Sequence, residues 1–210
     1  RFRKRAKSDR KPVIEDLFAL RERLLLDESD LPSVPEGAPT VGIPRTMFAF
    51  EQLPFWRTLL AGCGMRPVLS DPTNKRIIQA GLDSVVAEPC FPIIVAHGHV
   101  ADIAAEDVDW ILLPNIVSME SRWTHTNSYL CPWHQTLPFV IRRAPSLERH
   151  ADRFLSPTVR FDLGRRTVGR TLSDFLKQRL GVSKRAARGG VEAAFAAQDR
   201  FDEARAQAGR

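Results

Sequence analysis

Two short stretches combine residue types that could hold a metal or a reactive sulfur: Glu88-Pro-Cys-Phe-Pro92 and Leu130-Cys-Pro-Trp-His134. In each, a cysteine follows an extended or loop segment and a proline lies within two positions, the pattern of a helix N-terminus. A thiol there meets the positive end of the helix dipole and N–H groups without intrahelical partners. Both favour the thiolate, the form that binds metal. In a parallel α/β sheet the strand-to-helix junctions gather at the carboxyl edge, so Cys90 and Cys131 could face one pocket. The rival reading is packing, because a free cysteine usually behaves as a small buried hydrophobe. Cys63, in Leu-Leu-Ala-Gly-Cys-Gly-Met65, fits that rival: it sits at a helix end with no proline pattern and no polar neighbour.

Other chemistries have weaker signals. Cys131-Pro-Trp-His134 is a C-x-x-H, and His97 and His99 lie near Cys90, so a Cys2His2 zinc site is one arrangement. The two histidines of H-x-H on a helix point about 200° apart and chelate poorly. His99 could join a site, or both could hydrogen-bond to backbone. Glu88 and Asp102 flank the region, but surface or helix-start carboxylates are commoner than catalytic ones. Arg45, just past the first strand, could meet an anion at the same edge, against the plainer reading of a solvated arginine. The phosphate-loop, dinucleotide and nucleophile-elbow motifs are absent from the sequence.

The elements that must carry these residues alternate between strand and helix. Strands are expected at 40–44, 66–70, 84–88 (Ser-Val-Val-Ala-Glu) and 108–114, with a further strand or extended segment near 156–164. Helices are expected at 48–64, from Asp71-Pro72 through Ala80 with a C-terminal cap at Gly81, at 90–106, and from Cys131-Pro132 to about Ala144. Residues 115–130 read as a polar loop. A helix ending on Gly181 and a second one capped by Ser183, bent or broken at Gly189-Gly190, complete the chain. This grammar predicts an α/β fold: a Rossmann-like parallel sheet with flanking helices and helical N- and C-terminal extensions. The expected domains are a basic leader, helix and Pro-rich linker over 1–39, the Rossmann-like domain over 40–160, and a C-terminal helical extension over 161–210.

Charge and cysteine usage exclude several classes. The first eleven residues carry seven Lys or Arg and one Asp, which accounts for the whole net charge of +6, so the body is neutral. That pattern is a solvated leader rather than a nucleic-acid face. No run approaches the roughly eighteen apolar residues of a membrane span. Three cysteines without C-x-x-C argue against a disulfide framework, for a reducing compartment, and hence for the cytoplasm. The first residue is not Met, which reads as a piece of a longer protein.

Six ordered blocks, VGIPR, LPFW, LSDPTNK, EPCFPIIVAHGHV, VDWILLPNIVSME and YLCPWHQTLPF, resemble a domain of the 2-hydroxyacyl-CoA dehydratase activase-related proteins. The resemblance spans roughly residues 15 to 208 and is most specific from Val41 to Pro138. It implies a long chain that joins ATP-binding activator modules to a downstream dehydratase-like domain related to the dehydratase and benzoyl-CoA reductase subunits. It also implies that Cys90 and Cys131 are ligands of a 4Fe-4S cluster. The implied activity is ATP-driven, low-potential electron transfer for dehydration or reduction of an acyl-CoA. The family's dehydratase type uses three cysteines and leaves one iron open, and only two are offered here. A further ligand is expected from a later domain, and the fragment alone is not expected to turn over substrate. The alternative is a non-catalytic docking domain of the same multidomain protein with no metal bound.

Overall fold

A computed structural model describes residues 15–121, 123 and 126–209. The basic leader expected at the start of the chain lies outside the described residues. Helix α1 (Leu17–Leu26) begins at Asp16, whose carboxylate caps the Phe18 and Ala19 N–H groups. The Pro-rich linker then leads into β1 (Thr40–Ile43), α2 (Ala49–Gly62), β2 (Arg66–Leu69), α3 (Lys75–Ser84), α4 (Phe91–Ala105), β3 (Trp110–Leu112) and β4 (Asn115–Ser118). Helix α5 (Pro132–Ile141), strands β5 (Phe154–Leu155) and β6 (Thr158–Arg160), and helices α6 (Arg165–Leu180) and α7 (Lys184–Ala208) follow.

The main sheet has the order β2-β1-β3-β5 with every pair parallel. Pro67 falls on the edge strand β2, where a missing N–H is tolerated. Successive side chains on a strand alternate faces. Val41, Ile43, Leu112 and Leu155 accordingly enter one core with α2, α6 and α7, and Ile111, Leu113 and Phe154 enter another with α4 and α5. The result is three layers, with the sheet in the middle. Gly42, between Val41 and Ile43, faces α4 so closely that a Cβ would lie 2.3 Å from Ile103 Cγ1.

Five expectations change. Ser-Val-Val-Ala-Glu is not a strand: Ser84 closes α3, and 85–90 is an irregular connection with Val86 exposed. The β-branched pair suggested pairing, yet α3 and α4 pack tightly against each other. Gly81 is not a cap but the contact point of that pair: a Cβ there would lie 2.1 Å from Ile94 O, and one on Gly98 1.9 Å from Ile77 O. Asn74 caps α3 in place of Asp71, accepting from Ile77 N at 3.1 Å. The segment 115–130 contains β4, which pairs with β6, and Leu113 N and Asn115 N bond to Leu155 O and Pro157 O so that the ladder continues past Pro114.

Gly189-Gly190 does not break α7: Lys184–Ala208 is one helix. Gly190 meets Gly62 of α2, where a Cβ on Gly62 would lie 2.9 Å from Gly190 Cα. Ser183 does cap α7, and Gly181 closes α6 in the left-handed region.

Candidate functional site

Cys131 is brought to its helix start by β4. After Ser118 the chain turns and comes back, with Met119 N bonded to Ser128 O, Leu130 N to Val117 O, and an antiparallel bridge from Ser118 to Tyr129. Cys131 is then the N-cap of α5, extended at φ −60°, ψ 150°, with Pro132 opening the helix. Its Sγ accepts from His134 N at 3.4 Å, the bond a capping oxygen would make. Gln135 Nε2 donates to Leu130 O at 2.6 Å and ties the helix to the incoming chain.

Cys90 repeats the arrangement at the start of α4. It is the N-cap, at φ −62°, ψ 151°, with Pro92 in the first turn, but its side chain makes no capping bond. Both sulfurs therefore sit on exposed residues at helix starts with matching backbone, and no disulfide joins them. The two helices contact one another on the same face of the sheet, where Ile93 of α4 and Leu137 of α5 share one core. Beside the cysteines, Phe91 is 58% and Trp133 44% exposed, unusual for such large apolar groups. Cys63 differs in every respect. It packs at the end of α2, and burial pushes its thiol up to about 11.

The remaining candidates are structural. His97 bonds through Nδ1 to Ile93 O at 2.9 Å within its own helix. His99 is fully buried and held at both nitrogens, Nδ1 by Ser70 Oγ and Nε2 by Thr73 Oγ1, each at 2.8 Å. Burial lowers its pKa to about 4, so the ring is neutral and fully used. His134, on α5, is buried, its proton affinity is lowered by burial and its Nδ1 has no partner. The two-histidine, two-cysteine zinc arrangement is not formed: no group of three or more metal-ligating side chains converges among the described residues.

Asp102 is buried, accepting from Asp71 N at 3.0 Å and pairing with Arg76 at 2.5 Å. Arg45 is paired with Glu22 of α1 rather than presented to an anion, and Glu88 is exposed. Ser70, Thr73, His99, Asp102 and Arg76 thus form a polar network joining the end of β2 to α4. The sequence reading missed it, although Ser-Asp-Pro-Thr and H-x-H-x-x-D supply every member but Arg76. Two exposed thiols at helix starts suit a thiolate-bound metal group, and they make half of the four-ligand set a cubane cluster normally takes.

From residue 40 to 210 the chain matches the family described as CoA enzyme activase uncharacterised domain (DUF2229). The match covers most of the chain, and the chain belongs to this family of CoA enzyme activase domains. No curated protein and no solved structure matches it. Among the described residues no helix is long and apolar enough to cross a membrane.

Proposed function

We infer that this domain contributes Cys90 and Cys131 as ligands to a 4Fe-4S cluster completed by another module of an activase-like protein. The observation that carries the reading is the pair of matched N-caps: two exposed cysteines on adjacent helices, each at a proline-started helix, in a chain of the CoA enzyme activase domain family. Bound there, a cluster would supply one-electron transfer at low potential. The chain's own part is to hold two sulfurs. The His134 N–H donates to the Cys131 sulfur, and the helix N-terminus at each cysteine would offset negative charge there. Pro92 and Pro132 fix the helix starts, and the cores beneath Ile93 and Leu137 keep the helices in place.

The exposed Phe91 and Trp133 fit a rim that is covered when the partner module docks, which would keep water from the cluster. The dehydratase-like module would bring the remaining ligand, and ATP-binding modules would drive the electron. The reaction served would be dehydration or reduction of an acyl-CoA. Anaerobic loading of the full-length protein with iron and sulfide tests this. Wild type should take up both and develop broad visible absorption, and a Cys90→Ser, Cys131→Ser double variant should lose them. Equal iron in the two proteins would refute it.

A further inference from the structure

Helices α6 and α7 seal one side of the main core through Val168, Leu172, Leu176 and Ala187. Along their outer side they leave a groove of about 900 Å³. Arg166 and Arg170 of α6 stand on one wall, Lys184 and Arg188 of α7 on the other. Neither helix has an acidic residue in its first turn, although each begins with adjacent cations, Arg165-Arg166 and Lys184-Arg185. Cations at helix N-termini work against the dipole, so the isolated chain gains nothing from this placement.

Some of this charge is already matched. Arg165 binds both oxygens of Asp199 at 2.7 and 2.6 Å and lies over Phe195, 4.9 Å from the ring centroid. Arg188 holds Glu192 at 3.1 Å. Arg166, Arg170 and Lys184 enter no ion pair among the described residues.

We propose that this groove docks an acidic amphipathic helix of a protein partner. Arg166 and Arg170 are one helical turn apart, as are Lys184 and Arg188. Arg166 and Arg170, about 6 Å apart along the groove and outside any ion pair among the described residues, therefore match carboxylates placed four residues apart on a helix, with Lys184 on the facing helix open to a third. Between the cations the lining is apolar, from Gly169 and Val191, with Phe195 beneath Arg165. Gly169 matters there, because a Cβ would stand 3.3 Å from Val191 Cγ1. Helix-in-groove recognition needs this combination of charged walls and an apolar seam. A polynucleotide fits less well. Phe195, covered by Arg165, offers no platform on which a base could stack.

The test uses the whole chain and a fluorescein-labelled helical peptide of Leu, Ala and Glu, about 18 residues long, with Glu at four-residue spacing. A Gln-for-Glu counterpart and a short DNA duplex serve as competitors. The acidic peptide should bind, more weakly as salt rises, and Arg166→Glu with Arg170→Glu should weaken binding by about tenfold. Both residues are exposed, so circular dichroism should not change and the melting temperature should not fall. Arg143→Glu, on the exposed segment after α5, should bind as wild type does. Undiminished binding by the reversed variant would overturn the proposal, since it would trace the affinity to the basic leader. Equal binding of the Gln peptide, or stronger competition by DNA, would overturn it too.

Discussion

Cys90, Cys131 and Cys63 are the same residue in two environments, and their chemistry should separate accordingly. The first two are exposed at helix starts, and the third is packed beside α7 with its thiol raised to about 11 by burial. Alkylation by iodoacetamide at pH 8 in the native protein should label two thiols quickly and leave Cys63 for denaturation, as peptide mass spectrometry will read. Fast labelling of all three would contradict the packing described. At this scale the sequence was informative about the cysteines, since proline within two residues of each marked a helix start and Cys63 had none. It was poor about the histidines. His99 took shape as a metal candidate because its partners Ser70 and Thr73 are nearly thirty residues away, on a segment no local pattern connects to α4.

His99 also carries a pH dependence. Its pKa in the fold, about 4, lies below the ordinary 6.5. Between these values the unfolded chain takes up a proton that the folded one refuses. The stabilisation is complete above pH 6.5 and is lost as pH falls towards 4, on the order of 3 kcal/mol across the window. Urea unfolding of wild type and of His99→Gln at pH 7 and pH 4.5 measures it, with the variant losing less on acidification. Parallel losses would assign the acid sensitivity to other groups.

Helix packing in this domain turns on glycines at contact points, and the elements make predictions of opposite sign. Gly189 and Gly190 are neighbours on α7, but a Cβ on Gly189 meets nothing within 4 Å, while one on Gly190 would stand 3.0 Å from Cys63 Sγ and 3.2 Å from Leu59 O. Gly189→Ala should stabilise the protein by up to about 1 kcal/mol through helix propensity. Gly190→Ala should destabilise it by about 1–3 kcal/mol through overpacking against α2. Gly98→Ala, which drives a Cβ into Ile77 O, should be worse than either. Thermal melts of the three variants check the order. The end caps at Ser183 and Gly181 were legible because capping is local chemistry. Gly81 and Gly189-Gly190 were misread for the opposite reason: whether a glycine ends a helix or admits a neighbouring one depends on a partner remote in sequence.

Across the whole molecule, alternation of apolar strands and helices was enough to foretell a parallel sheet between helical layers. The strand count was not, because Ser-Val-Val-Ala-Glu carries strand residues yet spans a tight α3–α4 connection. The β4–β6 extension also escaped notice, since Pro114 and Pro157 look like endings although the ladder resumes beyond them. That extension matters to the proposed site, for it carries the chain to Cys131. The whole then becomes a rigid frame on which two helices of one layer begin with a cysteine each.

Joint ligation by those two sulfurs is tested most directly by residue-resolved alkylation of the full-length protein, iron-free and after anaerobic cluster loading. Cys90 and Cys131 should both be protected by loading and become reactive again when the iron is chelated, while Cys63 stays slow throughout. If either Cys90 or Cys131 reacts as fast in the loaded protein as in the iron-free one, the two are not ligands of one cluster.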